Sequence, residues 1–102
     1  MKLSTIEELK SFIEDFFSKR NRKVRVILFG SRARGTHTEH SDIDIAIDSD
    51  EDIEDDIVDL KAIIEESDLP QKVDIILLPK ASKSLKEEIL KEGKVWIDLR
   101  RR

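Results

Sequence analysis

The hydrophobic positions of this chain change their period several times, and each change marks an element. Ile6, Leu9, Phe12, Ile13, Phe16 and Phe17 recur at three- and four-residue steps, which predicts an amphipathic helix over about 5–19. Ser4 followed by Glu7 reads as its capping box, and the basic stretch Lys19 to Lys23 as its end. Val24 to Phe29 (VRVILF) is apolar and β-branched, the mark of a largely buried strand. A polar, glycine-punctuated segment from Gly30 to Ser41 separates it from DIDIAID at 42–48. There the period is two. Ile43, Ile45 and Ile47 point one way, and Asp42, Asp44, Ala46 and Asp48 point the other.

Helical spacing returns at Ile53, Ile57, Leu60 and Ile64, with Ser49 or Asp50 as the cap and Pro70 closing the connection that follows. Val73 to Leu78 (VDIILL) predicts a third strand, interrupted by one acid, Asp74. Ser82 to Lys91 predicts a short helix, Gly93 its terminator, and Val95 to Leu99 a last strand or extended tail. The order α–β–turn–β–α–β–α–β predicts an α/β (α+β) fold, a small mixed β-sheet packed by helices.

Composition narrows this picture. A length of 102 residues suits one compact domain over 1–102, without repeat, linker or low-complexity stretch. Hydrophobic residues make up 38% and charged residues 41%, so the core must be economical. The net charge of −4 argues against coating nucleic acid through bulk positive charge, although a local basic patch stays open. Without cysteine there are neither disulfides nor thiolate metal sites. No apolar run reaches the roughly 20 residues of a membrane span, and the N-terminal stretch lacks a signal peptide's apolar region. A soluble cytoplasmic protein is expected.

The candidate chemistry lies in the acids. Asp42 and Asp44, two apart on one strand face, can converge their carboxylates, and like charges held so close call for a cation. Magnesium suits them, because it prefers carboxylate oxygens, water and substrate phosphates. Asp74 is the candidate third ligand, an acid in an apolar strand where burial without a partner would be costly. The chain holds 12 Asp, and D-x-D recurs at Asp48/Asp50 and Asp50/Asp52, so the pair alone carries little. The upstream Gly30-Ser31 raises it: a strand that ends in Gly-Ser and turns into a short helix presents N–H groups and a hydroxyl to a phosphate.

The segment GSRARGTHTEHSDID, residues 30–44, resembles the G-S-x(10)-D-x-D signature of the DNA polymerase β-like nucleotidyltransferase superfamily. Within it, the chain is most similar to the minimal nucleotidyltransferases paired with HEPN-domain toxins. V-D-I at 73–75 stands where that family has its third acid, and the likeness extends through ILKEGKVWID at 89–98. The resemblance implies a nucleotidyltransferase fold and two Mg2+ ions held by Asp42, Asp44 and Asp74. It implies that Asp74 also acts as base toward the acceptor, and that Gly30 and Ser31 contact the triphosphate. It further implies transfer of a nucleoside monophosphate, AMP from ATP, to a hydroxyl. The acceptor would be a tyrosine of a cognate HEPN toxin, which makes the chain an antitoxin. Two other readings remain: neutralisation by docking without catalysis, or transfer to RNA or a small molecule.

Further residues have both a chemical and a plain reading. Arg34, and less so Arg32, can neutralise phosphate or pair with the acidic 48–59 stretch. His37 and His40 read as solvated loop residues rather than zinc ligands. Arg20, Arg22, Lys23, Arg25 and the tail Arg100 to Arg102 can touch RNA or an acidic partner, or be solvated surface. Asp48 to Asp59 reads as an exposed helix face, and Trp96 as core or interface packing.

Overall fold

In the computed structural model, which describes residues 3–100, the first helix starts one residue later than the capping pattern suggests. Helix α1 spans Ile6–Lys19 with Thr5 as its N-cap. The Thr5 hydroxyl accepts from the Glu8 N–H at 3.1 Å, and the Glu8 carboxylate accepts from the Thr5 N–H at 3.1 Å. Ser4 donates to that same carboxylate, so Thr5–Glu8 replaces Ser4–Glu7 as the reciprocal pair. At the other end the helix stops on Asn21, in the left-handed region at φ 55°. Its N–H reaches the Ser18 carbonyl and that of Arg22 the Phe17 carbonyl, which together form a Schellman closure.

Four strands follow: β1 (Arg25–Phe29), β2 (Ile43–Asp48), β3 (Val73–Leu77) and β4 (Lys94–Asp98). They form one mixed sheet in the order β3-β2-β1-β4; β1 runs antiparallel to β2 and β4, and β2 parallel to β3. Helix α2 (Ser31–Arg34) follows β1 at once, α3 (Glu54–Glu65) joins β2 to β3, and α4 (Lys83–Glu92) joins β3 to β4. A 3-10 turn at Leu78–Lys80 ends the third strand one residue earlier than the apolar run suggests.

The period-two pattern of β2 decides which helix covers which face. Ile43, Ile45 and Ile47 join Val26, Ile75 and Ile97 in the main core, closed by Leu9, Ile13 and Phe17 of α1 and Ile57, Leu60 and Ile64 of α3. The opposite face carries a smaller cluster of Ile27, Ala46, Leu78 and Ile89, where α4 lies. Gly93 lets the chain leave α4 there. A Cβ at this position would stand 2.6 Å from Ile27 Cγ2 and 2.4 Å from the Ile89 carbonyl oxygen. No described helix is long and apolar enough to cross a membrane.

Two expectations about the acidic stretch fail. Helix α3 begins at Glu54 on Ile53, without a side-chain cap. Ser49 is used earlier, accepting from the Glu51 N–H and donating to the Lys23 carbonyl, so it ties a turn to the start of β1. The helix face is not all solvated either. Asp56 is buried, with Arg20 Nη1 at 2.7 Å from one oxygen and Arg22 Nε at 2.8 Å from the other. Arg20 also reaches Asp59 at 3.2 Å and stacks 4.1 Å above the Phe16 ring. These arginines bind α1 to α3 and are not a free basic patch. Arg101 and Arg102 of the proposed basic tail lie outside the described residues.

Asp56→Ala leaves two guanidinium groups facing a site without its acid. It should cost about 2 kcal/mol, less than a fully buried pair because both arginines stay partly wetted. Urea denaturation of the variant measures this, and an unchanged midpoint would refute it.

Candidate active site

The parallel pairing of β2 and β3 is in register, with Asp44 directly opposite Asp74. Neighbouring strands lie about 4.8 Å apart, so the two side chains rise side by side from one face of the sheet. It is the face of Ala46 and Ile76, beyond the apolar cluster under α4. Asp42 precedes β2 by one residue and is exposed, and alternation places it on the same side as Asp44. The three acids named from the sequence therefore share one row. Asp74 is exposed rather than buried, contrary to expectation, because β3 is an edge strand.

Gly30 closes the row from the β1 side. Phe29 pairs with Asp44, and the chain turns at Gly30 with φ 75°. A Cβ there would sit 2.4 Å from Asp44 Oδ2 and 3.2 Å from its Cγ, so any other residue would have to displace this carboxylate and also adopt a positive φ. Ser31 then opens α2, where Gly30's carbonyl accepts from Ala33 at 3.2 Å and Arg34 at 3.1 Å. The N–H groups at the start of such a turn have no partner within it.

The two arginines of α2 separate in role. Arg32 donates to the carbonyls of Ser41 (3.0 Å), Thr38 and Glu39 (both 3.3 Å). It fixes the loop leading into Asp42 and contacts no part of the acidic 48–59 stretch. Gln71, just before β3, holds the same loop through the Glu39 carbonyl at 2.8 Å. Arg34 stands 3.4 Å from Glu92 of α4, again not the 48–59 stretch, and its charge reaches Asp44. His37 and His40 are exposed loop residues, as expected. Trp96 is half-buried against the main core.

Asp44 feels the row most. Burial pushes its carboxyl above the ordinary range, the charges of Asp74 and Asp42 push it further, and Arg34 and Lys72 oppose them. Lys72 is absent from the sequence-based candidates. The signal was available: counting back two from Asp74 places Lys72 on the same face, beside Asp42.

A divalent cation would relieve this repulsion, and the donor set is all oxygen, as Mg2+ prefers. Among the described residues no group of three His, Cys, Asp or Glu side chains stands close enough to hold a metal ion, so the three acids share a row without forming a ready-made metal site.

A family model described as Polymerase beta, Nucleotidyltransferase matches residues 11–101. The chain belongs to this family. A chain of Methanocaldococcus jannaschii named as a protein adenylyltransferase is 38% identical over 100 residues, covering 85% of this chain and 92% of its own. The crystal structure of a toxin–antitoxin with AMP-PNP contains a chain that matches with TM-score 0.69 and 26% identity. That match covers 90% of this chain and 75% of the other. A chain from the tri-AMPylated Shewanella oneidensis HEPN toxin in complex with MNT antitoxin matches with TM-score 0.58 and 24% identity. It covers 90% of this chain and 71% of that one, a likeness of fold. The family's sheet and helices are those found here.

The electrostatics of Asp44 give a sign that can be checked. Its folded-state pKa is raised, so the metal-free fold loses stability as pH rises from the ordinary carboxylate value through the folded one, and the cost is full above the latter and absent below the former. Asp44→Asn should therefore raise Tm at neutral pH in EDTA, and the gain should vanish at about pH 3, where the carboxyl is protonated in both states. Calorimetry of the two proteins across pH checks it; an asparagine variant less stable at neutral pH refutes it.

Proposed function

We propose that the chain transfers AMP from ATP to a protein hydroxyl, a tyrosine of a HEPN toxin, and so acts as an antitoxin. The observation that carries this is the in-register Asp44/Asp74 pair, continued by Asp42 and closed by the Gly30–Ser31 turn. The family's activity is nucleotidyl transfer. The adenylyltransferase name of the M. jannaschii relative and the AMP-PNP of the toxin–antitoxin neighbour support adenylate and a protein acceptor. The HEPN identity of the partner comes from the resemblance in the Gly30–Asp44 signature.

In this reading Asp42, Asp44 and Asp74 would hold two Mg2+ ions, which would supply Lewis-acid polarisation of the phosphoryl oxygens. Gly30 and Ser31 bind the triphosphate through backbone N–H groups and the hydroxyl, and Gly30 admits the phosphates close to the chain. Arg34 adds a cation for the charge leaving on pyrophosphate. Asp74, on the exposed edge strand, takes the proton from the acceptor hydroxyl. The acceptor oxygen bonds to the α-phosphorus as the bond to the β-phosphate oxygen breaks, and pyrophosphate leaves.

The same structure disfavours RNA as acceptor. Arg20 and Arg22 are bound to Asp56, and Arg25 pairs with Asp48 across the sheet at 3.3 Å. Three of the cations that would track a phosphate backbone are thus already paired with acids.

Asp42→Asn, Asp44→Asn and Gly30→Ala should each lower AMP transfer from labelled ATP by on the order of 10²–10³-fold while the circular dichroism stays native. Full transfer by Asp44→Asn would sink the assignment. Neutralisation of the toxin that persists in this variant would favour docking without catalysis.

A further inference from the structure

Beyond the acids, the molecule leaves one sheet edge open beside them. Strand β3 pairs only with β2. The Ile43 N–H donates to the Lys72 carbonyl at 2.9 Å, which fixes the phase of the ladder. Alternation then directs the amides of Lys72, Asp74 and Ile76 at β2 and those of Val73 and Ile75 outward. Among the described residues no backbone group pairs with these outward amides.

Along this edge runs a cleft of about 460 Å³, between the last turn of α3 and β3. Its apolar lining comes from Ile64, Leu69, Val73 and Ile75, and Asp74 stands at its border. Asp74 borders this cleft along the strand, while alternation turns its side chain to the opposite face with the carboxylate row, so a strand added to the β3 edge sets alternate side chains over the cleft and beside Asp74.

We infer that the β3 edge and its cleft are the docking site of the acceptor, an extended polypeptide segment that adds to the sheet as a strand and presents its tyrosine to Asp74. The inference rests on reading Asp42, Asp44 and Asp74 as the transfer site, and adds how the acceptor is gripped. Unpaired main-chain donors and acceptors in a row match another polypeptide backbone, whereas a nucleic acid offers no complementary ladder. Charge agrees. The ionic groups of the lining are Lys61, Lys72, Glu65 and Asp74, two of each sign, so a polyanion gains no net attraction while a peptide loses none. The apolar lining accepts alternate side chains of the added strand, and the volume lies within the range of ligand sites.

The test uses the full chain with ATP and Mg2+ and three acceptors. These are a pool of nine-residue peptides with one central tyrosine, N-acetyltyrosinamide, and a nine-nucleotide RNA. The peptide pool should be adenylylated with kcat/KM at least roughly tenfold above the free amide, the worth of one or two added backbone hydrogen bonds. Val73→Pro removes an outward N–H without touching the ladder to β2, and should erase that advantage while sparing transfer to the amide. Glu65→Trp fills the cleft from an exposed helix turn and should do the same, which keeps the test decisive should the proline variant not fold. Amide exchange should slow at Val73 and Ile75 when peptide is added. Equal use of peptide and amide, preference for RNA, an advantage that survives Glu65→Trp, or a dimer that blocks the edge would each overturn the inference. Failure of the underlying site reading looks different: Asp44→Asn would then transfer to every acceptor as well as the parent.

Discussion

Asp44 and Asp74 are forced together by the backbone: parallel, in-register pairing of β2 with β3 leaves them adjacent on one face, whatever their mutual repulsion. Burial and two neighbouring acids raise the pKa of Asp44, so the fold holds this group against its own electrostatic preference. Such a position persists only because the rest of the sheet is over-determined. The other face is buried by α1 and α3, and a slip of one residue in β2 would turn Ile43, Ile45 and Ile47 out of that core. The apolar face therefore fixes the register, and the register fixes the acids. Gly30 follows from the same constraint, because any other residue would strain at its positive φ and push its Cβ against the Asp44 carboxylate.

The remaining charges are distributed so that this site stands apart. A chain with 41% charged residues and a net charge of −4 is an improbable host for a polyanion on bulk grounds alone. The structure meets this locally. Arg20, Arg22 and Arg25 are consumed by Asp56, Asp59 and Asp48, and Arg32 by three loop carbonyls. Arg34 and Lys72 are the cations whose field reaches Asp44. The site is thus acidic at its floor with two cations beside it, an arrangement suited to a metal–triphosphate complex rather than to either component alone. The second face of the sheet is apolar only under α4, which leaves the carboxylate end open to substrate.

Where the sequence-based reading missed, the reason was local at the first helix cap and tertiary elsewhere. Ser4–Glu7 and Thr5–Glu8 are both spaced as capping boxes, and the choice depended on which residue adopts the extended cap conformation. Ser49 looked like a helix cap, but its hydroxyl was taken by the Glu51 N–H and by the carbonyl of Lys23, which lies just before β1 and far away in sequence. Asp56 sits in a run of acids that looks solvated, and only the approach of α1 buries it against two arginines. Lys72 belonged to an inconspicuous turn until strand pairing set it beside Asp42.

The sequence by itself determined the elements, their order and the faces of β2, because periods of two and of three to four are local and survive without any partner. It also determined the family, through a signature compressed into residues 30–44 and one acid at 74. Tertiary structure alone decided the sheet order, and with it that Asp74 lies on an exposed edge. No local pattern encodes which strand becomes an edge, since VDIILL reads the same at the centre of a sheet or at its border. That choice depends on what β2 accepts as its second neighbour, and it turns an acid expected to be buried into one that solvent and an acceptor can reach.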